Sequence, residues 1–379
     1  MKRSTDRILT THTGSLPRPA DLAEMLKQLD ARQPIDQAAF QKRVREAVAE
    51  TVAVQRKSGI DVLNDGEEGK VGYSTYIKDR CTGFEGESRS TMVQAEGHDF
   101  PAWAEARTRA STAMTRPTCN GPIAWKDFDA VKRDIDNLAG TARDSGAEEV
   151  FMSSASPGVV AIFLPNDYYP SQEAYLEAIA NVMRDEYRAI VDAGFLLQLD
   201  CPDLAMSRHN RHADKTLGEF RKIVELHVEV LNEATKGIPA NRIRLHLCWG
   251  NYEGPHQLDV ELKDIIDIVL KANAEGISFE GANPRHENEW RVWRDVKLPA
   301  DKILIPGVID STTNFIEHPE VVADRIERYA SVVGQERVIA GTDCGFGTFA
   351  TSNTVFPDIA WAKLATLSQG AALATKELS

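Results

Sequence analysis

Ile243-Arg244-Leu245-His246-Leu247-Cys248 is a short, mostly apolar run that ends in metal-binding chemistry. It lies between two stretches, residues 217–234 and 260–274, whose apolar positions recur at three- and four-residue spacing. A strand-length run set between helical patterns reads as part of a β-α repeat. Working outward, similar runs occur at residues 8–13, 61–64, 149–153, 195–200, 277–280, 303–308 and 338–342, with further helical spacing at 172–192 and 318–332. This alternation predicts an α/β protein, a (β/α)8 TIM barrel, with the spaced stretches as its outer helices.

The chain of 379 residues suits one such barrel with insertions. Residues 22–58 hold two helical patterns, and about 68–147 is too long for one β-α step. That region is expected to be an insertion capping the barrel mouth, with a hairpin strand near 118–123. No internal repeat or low-complexity linker divides the chain, so residues 1–379 read as a single catalytic barrel. With 42% hydrophobic and 27% charged residues the chain can bury a large core. Its 57 acidic against 44 basic side chains, net charge −13, would repel phosphate backbones and anionic membranes. Nucleic acid and membrane partners are therefore not expected. The N-terminal residues lack the apolar core of a signal peptide, and the expected location is the cytoplasm. Five scattered cysteines do not suit a disulfide framework.

In such barrels chemistry collects at the C-terminal ends of the strands. His246 and Cys248 are two apart, so on a strand both side chains share a face. An imidazole and a thiolate suit zinc, which needs three or four ligands; Glu280 and Cys344, at other strand ends, supply candidates. The alternative is that the cysteines are small buried hydrophobes and His246 a satisfied core histidine. A thiolate-rich shell would make zinc suited to holding a substrate thiolate, since coordination deprotonates a thiol outright. Around this set stand His12, Ser15, Glu67, Asp200 and Asp310, also at predicted strand ends.

At these residues the sequence resembles the cobalamin-independent methionine synthase family, including its shorter single-barrel members. The motifs are residues 11–17 ending in Gly14-Ser15-Leu16-Pro17, residues 59–67 ending in Gly66-Glu67, Gln198-Leu199-Asp200 with Pro202, His246-Leu247-Cys248, and Asp343-Cys344-Gly345. The resemblance implies zinc ligands at His246, Cys248, Glu280 and Cys344, and binding of the amino-acid part of homocysteine by Ser15, Glu67 and Asp200. Two departures stand out. Thr312 occupies the position of a histidine implied in proton delivery, which leaves Asp310, His12 or water for that work. Cys201 replaces a glutamate of the family motif. The family's two-domain enzymes carry a second barrel absent from these residues, so any folate site would be built from this barrel and its insertion.

The leading expectation is zinc-dependent methyl transfer to homocysteine from 5-methyltetrahydrofolate or a simpler donor. Opening of an epoxide by zinc-bound coenzyme M is the alternative. Its sulfonate would call on cations such as Arg208 or Arg211 in the basic 207–212 loop, which otherwise reads as a solvated surface or a site for an anionic cosubstrate. Trp249, Tyr252 and Phe346 could wall the donor or be ordinary packing. A non-catalytic thiol- or zinc-binding barrel is the third reading. A decarboxylase is disfavoured because that chemistry needs no thiolate zinc site.

Overall fold

The computed structural model describes residues 1–89, 94–110, 115–350 and 354–378. Eight parallel strands run in sequence: β1 (Leu9–Thr10), β2 (Val62–Leu63), β3 (Glu149–Ala155), β4 (Leu196–Asp200), β5 (Ile243–Leu247), β6 (Gly276–Phe279), β7 (Ile303–Ile309) and β8 (Ile339–Thr342). Neighbours pair in the order β1-β8-β7-β6-β5-β4-β3-β2. The remaining seam, between β1 and β2, is bridged in parallel at Thr11 and Val62, so the sheet curls into a (β/α)8 barrel.

The period-two alternation of the strands sorts residues between two environments. On β5, Ile243, Leu245 and Leu247 belong to the large core shared with the outer helices. Arg244 and His246 take the opposite face, inside the barrel. Arg244 is wholly buried there, its guanidinium 4.2 Å from the Phe151 ring centroid. It donates to Thr11 Oγ1 and His12 O at 2.9 Å each. Burial lowers its pKa to about 9, which still leaves it charged at neutral pH. On β4, Leu197 and Leu199 join the same outer core, while Gln198 and Asp200 face in. The barrel interior is thus apolar at one end, with Leu9, Ile303, Ile305 and Ile339 clustered together, and polar towards the strand C-termini.

The outer helices follow from their apolar spacing and their caps. The helix Leu217–Ala234 buries Phe220, Val224, Val228, Leu231 and Ala234 on one stripe. Thr216 and Glu219 close its first turn as a capping box. Each large side chain so buried contributes about 1.5–3 kcal/mol relative to exposure. Gln172–Asp192 begins at a Ser171 cap, and Pro319–Val333 places its proline in the first turn.

Three expectations differ from what the chain forms. Residues 260–274 give a 3-10 turn, Leu262–Asp264, and a four-residue helix, Ile266–Val269, instead of a full outer helix. Ile265, Ile266, Ile268 and Val269 are all buried, and β-branched residues such as these are weak helix formers. Residues 118–123 contribute an isolated bridge, Cys119 with Asn166, and no hairpin strand. Pro117 and Pro122 remove two of the N–H groups a ladder would need. The expected insertion at 68–147 is shorter in its capping part, because Asp129–Ala142 packs on Gln37–Lys57 and on Gln172–Asp192 as an outer helix.

The cap proper includes Ala95–His98 and Pro101–Ala110. It reaches the loop after β5, where the Trp103 and Tyr252 rings lie 6.1 Å apart and Gln257 donates to Asp99 at 3.1 Å. Among the described residues no helix is long and apolar enough to cross a membrane.

Candidate active site

A cavity of about 980 Å³ opens at the C-terminal ends of the strands, under the cap. Six of the candidate ligand and substrate-binding residues line it: Ser15, Glu67, Asp200, His246, Cys248 and Cys344. They come from the ends of β4, β5 and β8 and the loops after β1 and β2, as barrel geometry requires.

His246, Cys248 and Cys344 bring ligand atoms within 4.8 Å of one another. The two sulfurs are 3.7 Å apart, and both cysteines are free. That separation is far beyond an S–S bond and close to the edge of a tetrahedron with metal–sulfur distances of about 2.3 Å, namely about 3.8 Å. His246 Nδ1 meets Ser278 Oγ at 3.1 Å, whereas its Nε2 is buried without a hydrogen-bond partner. Burial lowers the His246 pKa to about 3, so the imidazole is neutral and keeps a lone pair. A partnerless Nε2 and two thiols make a donor set that could hold a metal such as zinc, with Ser278 fixing the ring as an outer partner. The Cys248 thiol is pushed well up, first by its contact with Cys344, then by burial and the charges of Cys344 and Glu280. A bound cation would reverse that balance.

Glu280 stands apart from this trio. Its Oε1 accepts the Trp249 N–H at 2.6 Å and its Oε2 the Asn283 side-chain amide at 2.9 Å. It acts on Cys248 through its charge. Asp343, which precedes Cys344, holds this arrangement together. Its Oδ1 accepts the N–H groups of Gly281 and Ala282, and its Oδ2 that of Asn283, all at 2.8 Å. Position 307 must be glycine for this, because a Cβ there would lie 2.0 Å from Asp343 Oδ1. The ends of β6 and β8 are thereby tied, and with them Glu280 and Cys344.

Glu67 and Asp200 form a carboxylate pair on the same cavity. Burial, then the Glu67 charge, holds Asp200 well above the usual carboxylate range, opposed by the Gln198 amide donating at 2.8 Å. Glu67 accepts from Ser153 Oγ at 2.6 Å, and its other oxygen is buried with no partner. Its backbone has φ +58°, a left-handed conformation that costs a non-glycine residue on the order of 1–3 kcal/mol and clusters at functional sites. The Asp65 carboxylate and the Arg18 guanidinium fix it there, at 3.0 and 2.8 Å. An acceptor without a donor, beside a carboxyl whose pKa is raised by burial, suits a cation with N–H groups.

The two residues expected to move protons sit elsewhere. His12 accepts the Gly14 N–H on Nδ1 at 3.2 Å and meets Gln55 Oε1 with Nε2 at 2.7 Å, which makes Nε2 the protonated nitrogen. Burial lowers its pKa to about 3, and it does not line the cavity. Asp310 closes its own turn. Thr312 and Thr313 both donate backbone N–H groups to it at 2.9 Å, and both hydroxyls also point at it. Its oxygens are saturated, and it too is off the cavity wall. Proton handling by either would need these partners broken.

The cavity wall also corrects the expected donor surface. Trp249 is buried beneath it, donating to Val260 O at 2.7 Å, and Phe346 does not reach it; Tyr252 does. The main aromatic face is instead Tyr73, Phe163 and Phe349, with centroids 5.6–6.1 Å apart. Arg208 and Arg211 spend guanidinium N–H groups on the carbonyls of His212 and Ile162 and do not line the cavity. Its cations are Arg89, Arg107 and Arg116. Arg89 pairs with Asp167 at 3.0 Å, whereas Arg107 and Arg116 have no carboxylate partner among the described residues. They rest on rings, 4.5 Å from the Tyr252 centroid and 5.1 Å from that of Phe163. Ser153 and Ser278 could have been sought as inward strand positions. The aromatic trio and the cap arginines carried no spacing signal.

Fold and site together define a (β/α)8 barrel with a His–Cys–Cys donor set facing a carboxylate pair across one cavity. The chain belongs to the cobalamin-independent synthase family: the model of that family's catalytic domain matches residues 8–102 and 82–363. Methionine synthase of Thermococcus kodakarensis is 25% identical over 378 residues, which cover 98% of this chain and 94% of the relative. Methionine synthase of Pyrococcus furiosus is 26% identical over 372 residues, 97% of this chain and 93% of that one. The fold is shared with a B12-independent methionine synthase from a Shewanella species, solved in complex with selenomethionine. The TM-score is 0.72 at 21% identity, over 98% of this chain and 99% of the other.

Proposed function

We propose that this protein is a zinc-dependent methyltransferase that methylates the sulfur of homocysteine to give methionine. The observation that carries the reading is the pairing, on one cavity, of a thiol- and imidazole-lined metal site with two carboxylates able to receive an ammonium group. His246, Cys248 and Cys344 would hold zinc, with Glu280 the adjoining candidate for a fourth ligand. When bound, zinc supplies stabilisation of a substrate thiolate at neutral pH.

The protein's own groups then do the rest. Glu67 and Asp200 receive the α-ammonium, whose charge opposes the burial and the Glu67 repulsion that raise the Asp200 pKa. Ser15 lies against Gly345, and its hydroxyl offers a donor to the α-carboxylate. The Tyr73, Phe163 and Phe349 face would pack a planar donor, while Arg107 and Arg116 suit an anionic part of it. Both features favour a donor such as 5-methyltetrahydrofolate over a small cationic one. The bond between the methyl group and the donor's nitrogen breaks as the sulfur–methyl bond forms; the thiol proton goes to solvent when the thiolate forms, and the leaving nitrogen, which keeps the bonding pair, takes up a proton from solvent. Coenzyme M is disfavoured as the acceptor because a sulfonate beside the metal site would meet carboxylates.

The test is calorimetric titration of zinc-loaded protein with L-homocysteine and with coenzyme M, in buffers of different ionisation enthalpy. Homocysteine alone should bind, releasing the thiol proton and, at pH values below the raised Asp200 pKa, a further proton from the carboxylate pair. Binding of coenzyme M alone would overturn the assignment. Replacing Arg116 by Ala should raise the KM for an anionic methyl donor about tenfold, the loss of a partly exposed charged contact, while leaving homocysteine affinity unchanged. Steady-state kinetics with each substrate varied in turn checks this.

A further inference from the structure

A second group of buried ligand-type side chains lies where the cap meets the barrel, away from the thiol site. Glu96 comes from the cap's 3-10 turn, His209 from the short helix Ser207–Asn210 after β4, and Asp259 from the loop after β5. One ligand atom of each lies within 4.8 Å of the others, and all three residues are at most 5% exposed. Their hydrogen bonding is incomplete. Glu96 Oε1 receives the Tyr252 hydroxyl at 3.3 Å, but Oε2 has no partner. His209 Nδ1 is 2.8 Å from Asp259 Oδ1, yet out of line for a hydrogen bond, and Nε2 is likewise unpartnered.

The other oxygen of Asp259 is fully used. His256 Nδ1 and His286 Nε2 approach Oδ2 at 2.7 and 3.1 Å. Those imidazoles sit between acceptors: His256 Nε2 also meets Tyr252 O, and His286 Nδ1 faces Glu289. They orient Asp259, so that Oδ1 turns to His209 and Glu96. Leaving several buried polar atoms without partners costs about 1–3 kcal/mol each, a penalty that an ion in their midst removes.

We propose that Glu96, His209 and Asp259 form a second divalent-cation site that fastens the cap to the barrel mouth. One imidazole nitrogen and two carboxylate oxygens suit zinc, cobalt or manganese, with water at the remaining corners. The site is structural: it contains no thiol and does not line the cavity. Its consequence for the cavity is indirect. Gln94, Gly97 and His98, around Glu96, form part of the cavity wall, so the ion would hold that wall in place.

The test uses the full-length protein, stripped by chelator and titrated with Co2+ while absorption is followed. The wild type should take up about two equivalents, only one of which gives sulfur-to-cobalt charge-transfer absorption. A Cys248→Ser/Cys344→Ser double variant should keep about one equivalent, without that absorption, and gain thermal stability when it binds. Glu96→Gln and His209→Gln, each made in the wild-type background, should lose the equivalent that lacks charge transfer and retain the other. Saturation of the wild type at the thiol site alone with no uptake by the double variant, or retention of the second equivalent by both single variants, would overturn the proposal. A failure of the thiol site shows differently, as missing charge transfer with the second equivalent still bound.

Discussion

Cys344→Ala should abolish zinc binding and methyl transfer together while the barrel stays folded: this is the largest effect expected of any single substitution. Cys344 is one of three side chains that bring donor atoms to one point, and it lies past the end of β8, outside the apolar core that the strands share with the helices. Loss of a sulfur ligand leaves an imidazole and one thiol, too few to hold zinc tightly. Changes to outer partners of metal ligands alone cost about 10–100-fold, so kcat/KM should fall by more than about a thousandfold. Metal content after dialysis, circular dichroism and turnover with homocysteine form the check. A variant that keeps its zinc and its activity would remove Cys344 from the ligand set. Unfolding would instead mean that the metal carries the stability of the β6–β8 corner that Asp343 ties together.

Asp200→Asn should weaken homocysteine binding by about a hundredfold, near 3 kcal/mol, with zinc retained. Truncating one partner of a buried charged contact costs on the order of 2–5 kcal/mol. The pH dependence gives a second readout with a definite sign. In the free protein burial and Glu67 hold Asp200 above the ordinary carboxylate range, so it keeps its proton to higher pH. The α-ammonium favours the ionised form, so binding expels that proton and apparent affinity rises as pH increases towards the raised pKa. Asparagine has no proton to expel, and in the variant this part of the slope should vanish. Titration calorimetry at several pH values measures both effects. Unaltered affinity and slope would move the ammonium site elsewhere in the cavity.

Much of this was legible in the chain. All eight strands were read within a few residues of where they form, because buried parallel strands are short, apolar and flanked by helical spacing. The helix Leu217–Ala234 follows its apolar spacing from end to end, and the Thr216–Glu219 capping box fixes its start in the structure. Where the pattern failed, local composition was misleading: residues 265–269 are apolar at nearly every position, and periodicity cannot separate a buried turn from a buried helix.

The site divides along a similar line. His246 and Cys248 could be paired from sequence because a strand repeats every two residues, and Ser15, Glu67, Asp200 and Cys344 because strand ends gather at one mouth of a barrel. Which partner each side chain takes is another matter. His12 and Asp310 are also near strand ends, yet Gln55 and Gly14 occupy the one, and Thr312 and Thr313 the other. The aromatic wall of Tyr73, Phe163 and Phe349 joins residues almost three hundred positions apart, and Glu96, His209 and Asp259 meet across the cap. The sequence determined the barrel and the inward face of each strand, because both depend on local periodicity. The tertiary structure decided which polar groups are satisfied and which stand open to a ligand, because hydrogen bonding saturates by contact, whatever the spacing along the chain.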